Sequence, residues 1–171
     1  MKWKTTLLLL LLTVGVGAYV SLHELKQPTP EERSRLANRV VNLNPEEVTG
    51  LLVTAPKGTV TLQRISNVWQ VVSPRRLRAE APLVSRILNH LNPLEAEQVL
   101  RQTTERPLAP ADYGLQSPAA TLTVITADRT MQLLFGDATA VGANRYLSME
   151  GTPVLYVVSA SLVELLVQPL D

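Results

Sequence analysis

Val48-Thr49-Gly50-Leu51-Leu52-Val53-Thr54-Ala55-Pro56-Lys57-Gly58-Thr59-Val60-Thr61-Leu62-Gln63 is the stretch that decides the fold. Leu51 and Val53 alternate with Leu52 and Thr54, and Val60 and Leu62 alternate with Thr59, Thr61 and Gln63. A period of two belongs to a strand with one face in a core. Pro56-Lys57-Gly58 supplies the turn, so the stretch predicts a β-hairpin. Ser66-Asn67 turns the chain again, Val68-Trp69-Gln70-Val71-Val72 is a third strand, and Ser73-Pro74 stops it. From Pro82 to Leu91 the period changes to that of a helix. Leu83, Val84, Ile87, Leu88 and Leu91 share one face, and Asn92-Pro93 ends it. Glu95 to Leu100 reads as a further strand, and the polar, proline-bearing stretch from Arg101 to Ala111 as a surface loop.

The second half repeats this plan. Ala120 to Thr126 and Thr130 to Phe135 predict a hairpin around Ala127-Asp128-Arg129. Gly136 to Ala143 reads as a loop. Arg145 to Met149 and Pro153 to Ser159 predict two more strands, and Ser161 to Val167 a short amphipathic helix. Thr54-Ala55 echoes Thr126-Ala127, and Val68 to Ser73 echoes Val154 to Ser159. The expected class is therefore α+β: antiparallel β-meanders with amphipathic helices packed on one side, in two weakly repeated β-β-β-α units over residues 48–100 and 112–167. Apolar residues are 46% of the 171 and aromatics 4%, so the core has to be aliphatic.

Upstream of the hairpin the chain changes character. Met1-Lys2-Trp3-Lys4 precedes an uncharged apolar run from Thr5 to Leu22. As a helix that run is roughly 27 Å long, close to the thickness of a bilayer's hydrocarbon core. Residues 1–22 are expected to form one N-terminal transmembrane helix. Lys2 and Lys4 favour a cytoplasmic N-terminus, which places the rest outside. Val16-Gly17-Ala18 offers the competing reading, a signal peptide cleaved after Ala18. Residues 23–47 read as a juxtamembrane linker and helix. Thr29-Pro30-Glu31-Glu32 is a capping box for a helix running to about Val41, and Asn44-Pro45-Glu46-Glu47 is a second cap for a single turn. Residues 48–171 are then the extracytoplasmic domain.

Charge and residue types exclude more than they identify. Lys2 and Lys4 lie ahead of the apolar run, and the remainder is close to neutral, which gives no electrostatic basis for binding nucleic acid. There is no cysteine, hence no disulfide, thiolate metal site, cysteine nucleophile or lipidated N-terminal cysteine. The two histidines, His23 and His90, lack a second histidine at ligand spacing. The carboxylate pairs Glu31-Glu32 and Glu46-Glu47 fit the first turns of helices. Gly136 to Gly142 lacks the spacing of a phosphate loop, and no Gly-x-Ser-x-Gly elbow supports a triad. Arg75, Arg76 and Arg78 form a basic knot that reads as solvated, and Trp69, mid-strand among valines, reads as a core or sheet-face residue rather than a ligand platform. No catalytic residue, metal site or cofactor is expected.

The order of elements, with the Trp69 strand ending at Pro74, then Asp112-Tyr113-Gly114-Leu115-Gln116-Ser117-Pro118 and Gly136, resembles the bacterial domain-of-unknown-function family 4340. Tyr113-Gly114-Leu115 with Pro118 is the most recognisable element, and the resemblance runs over roughly Val48 to Val167. It implies a single-span protein of the bacterial cytoplasmic membrane with its domain on the periplasmic side. It also implies a link to ABC-type export systems and a likeness to gliding-motility transporter auxiliaries. Trp69, Pro74, Tyr113, Gly114, Leu115, Pro118 and Gly136 carry over as motif positions, and physically each reads as structural. The function expected is that of a membrane-anchored accessory or scaffold domain contacting ABC-type transporter subunits or another envelope partner. The alternative is a module binding an envelope glycan or lipid, with a pocket beside Trp69 or Tyr113.

Overall fold

The hairpin forms as expected, and the rest of the sheet grows outward from it. In the computed structural model, residue 3 and residues 35–103 and 108–167 are described. Asn38–Asp171 forms one compact unit. Its strands are β1 (Arg39–Val41), β2 (Val48–Ala55), β3 (Gly58–Ile65), β4 (Val68–Ser73) and β5 (Leu77–Arg78). Helix α1 (Ala81–His90) follows, then β6 (Leu94–Glu95) and β7 (Gln98–Arg101). The second half holds β8 (Ala120–Thr126), β9 (Thr130–Ala138), β10 (Asn144–Met149), β11 (Val154–Ser159) and helix α2 (Ser161–Val167). Short 3-10 turns occupy Pro45–Glu47 and Pro110–Tyr113.

Nine strands form one antiparallel sheet in the order β5-β4-β3-β2-β8-β9-β10-β11-β7, and β1 pairs with β6 in a small separate one. β2 and β8 meet antiparallel at the centre, and each begins a meander that runs outward, to the β5 edge on one side and to β11, next to the edge, on the other, and then into a helix. β7 lies between the two meanders in sequence, yet it pairs with β11 at the far edge.

Alternation sorts the side chains by face. Val71, Leu62, Leu51 and Val124 are paired across β4, β3, β2 and β8 and are all buried. Val53, Leu122 and Leu133 make a second buried row, and Ala120, Phe135 and Leu147 a third. Leu83, Val84, Ile87 and Leu88 of α1 and Leu162, Val163, Leu165 and Leu166 of α2 close the core over this face. The helices touch each other, and α2 lies on β2 and β8. A bulge between Val48 and Gly50, where β2 has one residue more than β8, keeps Val48 in phase with Leu51, so both are buried.

Several expectations need correction. The helix expected to end near Val41 does not reach it: Arg35 to Ala37 are helical, but Arg39–Val41 is strand, drawn into pairing with β6. The strand expected at Glu95 to Leu100 is two strands, β6 and β7, interrupted at Ala96 and Glu97. The basic knot is not all loop, because Leu77–Arg78 pairs with β4 as β5. Gly136 is not in a loop but inside β9, which runs on to Ala138. The first meander holds four strands rather than three, the fourth being only β5, and the second holds the four expected of it, so β-β-β-α describes neither unit. The echo between Val68–Ser73 and Val154–Ser159 joins strands that are not equivalent, since β4 is third from the seam and β11 fourth. The expected transmembrane helix and His23 lie outside the described residues, among which no helix is long and apolar enough to cross a membrane.

Candidate binding site

Four of the motif positions come together at one contact. The turn Pro110–Tyr113 closes on Gly114, which takes the left-handed conformation (φ 69°, ψ 18°). Its N–H donates to Ala111 O at 3.3 Å, and Leu115 N–H donates to Pro110 O at 2.9 Å. This reversal lays the Tyr113 carbonyl on Gly136 of β9. A β-carbon at Gly136 would overlap that carbonyl and press on Leu115 Cδ2, and one at Gly114 would meet the Asp137 carboxyl group. The Tyr113 ring stands edge-on to Tyr146 of β10, with centroids 4.9 Å apart and planes at 72°. Gly136 follows Phe135, which points into the main core, so the Tyr113 turn packs on the opposite face of the sheet. Arg145 Nη1 donates to Gly136 O at 2.9 Å, and Ala119 N–H donates to Phe135 O at 2.7 Å, fixing the strand on either side. Leu155 and Val157 of β11 are buried on this same face, away from the main core. This contact is a lock that holds a turn to a sheet.

The remaining candidates stand elsewhere. Trp69 is half-buried on the core face of β4, opposite Arg64, and its carbonyl accepts from Ala79 N–H at 3.1 Å. Pro74 is exposed after a cis peptide bond, and Pro118 is half-buried before β8. Arg75, Arg76 and Arg78 are exposed. His90 is the exposed last residue of α1. Glu46 and Glu47 lie in a 3-10 turn, where Asn44 Oδ1 accepts from Glu46 N–H at 3.1 Å. Among the described residues, no three His, Cys, Asp or Glu side chains are grouped to hold a metal ion.

What the residue-by-residue reading missed is the open face of the sheet. Around the seam this face carries Gln132, Thr123, Leu52 and Thr61 in one row and Leu134, Thr121, Thr54 and Thr59 in the next, with Thr54 and Thr59 hydroxyls bonded at 3.2 Å. A third row reads Ile125, Gly50, Gln63, Gln70. None of these side chains is ionisable. At Gly50, between Ile125 and Gln63, a shallow depression of about 230 Å³ opens, lined also by Thr49, Thr61, Ile65 and, as its one charged residue, Arg64, whose Nη1 donates to Glu46 O at 2.9 Å. Ile65, Val68 and Ile125 are 45%, 39% and 37% exposed, an unusual degree for large apolar side chains on one patch. The signal was present: a glycine in an otherwise alternating central strand marks a bulge or a close approach.

A family model for a domain of unknown function, DUF4340, matches residues 69–171, from Trp69 in β4 to the end of the chain. No curated protein and no solved structure matches.

Proposed function

We propose a role in binding rather than in chemistry for this chain, which belongs to the DUF4340 family of domains of unknown function. The domain is a membrane-anchored accessory module of the bacterial envelope. The apolar run from Thr5 to Leu22 tethers it to the cytoplasmic membrane with its N-terminus inside, and it contacts an ABC-type transporter subunit or another envelope protein from the outer side.

The observation that carries this reading is the uncharged open face around the seam. Interface centres are depleted in charge, because an ion stripped of water is costly unless paired. Hydroxyl and amide side chains cost less to cover and can be re-bonded by a partner. Thr123, Thr61 and Gln63 offer such a surface, with Leu52, Ile65, Val68 and Ile125 as its apolar part. The depression at Gly50 gives it relief into which one partner side chain fits. A neutral glycan is the second reading, favoured by the hydroxyl and amide groups around that same depression.

Affinity capture of the full chain from detergent-solubilised membranes tests the proposal. The expected result is recovery of ABC-type transporter subunits with the native chain, and about tenfold less with Thr61→Arg/Thr123→Arg, which places two unpaired charges on the face. Recovery of the chain alone, or equal recovery with both forms, contradicts it.

A further inference from the structure

We propose that the β7 edge of the sheet pairs with the β7 edge of a second copy of this chain, joining two nine-stranded sheets into one. The two edges of the sheet are built differently. At β5 the edge strand is only Leu77–Arg78, preceded by Pro74 and the exposed Arg75 and Arg76. Short length, proline and charge are the devices that keep strands from adding to an edge. β7, at four residues, is twice the length of β5 and contains no proline. Its four residues pair with Val154 to Val157 of β11 in unbroken register, and it has no other strand partner among the described residues. A strand paired on one side leaves alternate N–H and C=O groups pointing outward on the other.

The sequence of the edge specifies the occupant. Glu97-Gln98-Val99-Leu100-Arg101 places an acid and a base at equal distances from Val99. Two copies running antiparallel about a two-fold axis through Val99 set Gln98 opposite Leu100 and Glu97 opposite Arg101 at both ends. Parallel in-register pairing would instead set Glu97 on Glu97 and Arg101 on Arg101. The edge is therefore self-complementary in one orientation only, as a two-fold interface requires. Glu97 and Arg101 are both exposed. Glu97 N–H donates to Val157 O at 2.8 Å, out of step with the pairing of Gln98 and Val157, and Asn144 Nδ2 of β10 donates to Glu97 Oε2 across β11, so the carboxylate has to turn outward from Asn144 to meet the second copy's Arg101.

One short strand covers less surface than a standard stable interface, so the association is weak and depends on concentration. Sedimentation of the full chain in detergent micelles, up to about 0.5 mM, is the test. The expected result is a reversible dimer that either Glu97→Lys or Arg101→Glu weakens several-fold, roughly three- to tenfold, since each brings like charges together at both ends. The double reversal Glu97→Lys/Arg101→Glu restores it. Glu97→Gln, which keeps an acceptor for Asn144, weakens it less than Glu97→Lys, separating charge from loss of that contact. A monomer at every concentration, a dimer indifferent to the reversals, or a double reversal no better than the singles overturns the proposal.

Discussion

Gly136 is where one methyl group does the most damage. Its would-be β-carbon meets the Tyr113 carbonyl, which is main chain and cannot swing aside as a flexible side chain would. Gly136→Ala is expected to destabilise the domain by about 2–3 kcal/mol, at the upper end of overpacking costs. Gly50→Ala meets Ile125 Cδ1 at an ordinary 3.4 Å and is expected to cost less than about 1 kcal/mol. Urea denaturation of the two variants reads the difference, and equal losses would remove the Tyr113 lock from the account. In the sequence Gly136 stood out as a motif position, but it read as part of a loop. What makes it glycine is a carbonyl from the distant Tyr113 turn, and no local pattern encodes that approach. Tyr113, Gly114 and Leu115 were equally visible as a motif, while their shared destination on β9 and β10 was not.

At the scale of elements, strong periodicity proved legible and pairing at the margins did not. Leu83, Val84, Ile87 and Leu88 gave α1 its helix period, and the structure buries all four. Ile87 is fully buried between helix and sheet, so Ile87→Ala is expected to cost about 2–5 kcal/mol in the same denaturation experiment. Ser85, on the exposed flank, should tolerate alanine within about 0.5 kcal/mol. A comparable loss at both positions would mean that α1 does not pack as described. β1, β5 and β6 escaped the reading because each is three residues or fewer and exists only through its partner. Val40 and Val41 looked like the end of a helical stripe. Their β-branched side chains suit a strand as well, and pairing with Leu94 and Glu95 settles the matter.

For the whole molecule, the α+β class with antiparallel sheet was legible in the alternating strands and helix periods, but the seam joining β2 to β8 was not. Thr121, Thr123 and Ile125 belong to one hairpin and Gly50, Leu52 and Thr54 to another, far apart in sequence. Only the β2–β8 pairing makes them a continuous uncharged surface. That surface gives the central claim a direct test. A photo-crosslinking residue is placed at Thr123 or Gln63 on the open face, or at Ser85 or Asn89 on the exposed side of α1, in the full chain within native membranes. Adducts with one envelope polypeptide are expected from Thr123 and Gln63, and none from Ser85 or Asn89. Adducts from α1 alone, or the same adducts from both faces, would contradict that claim.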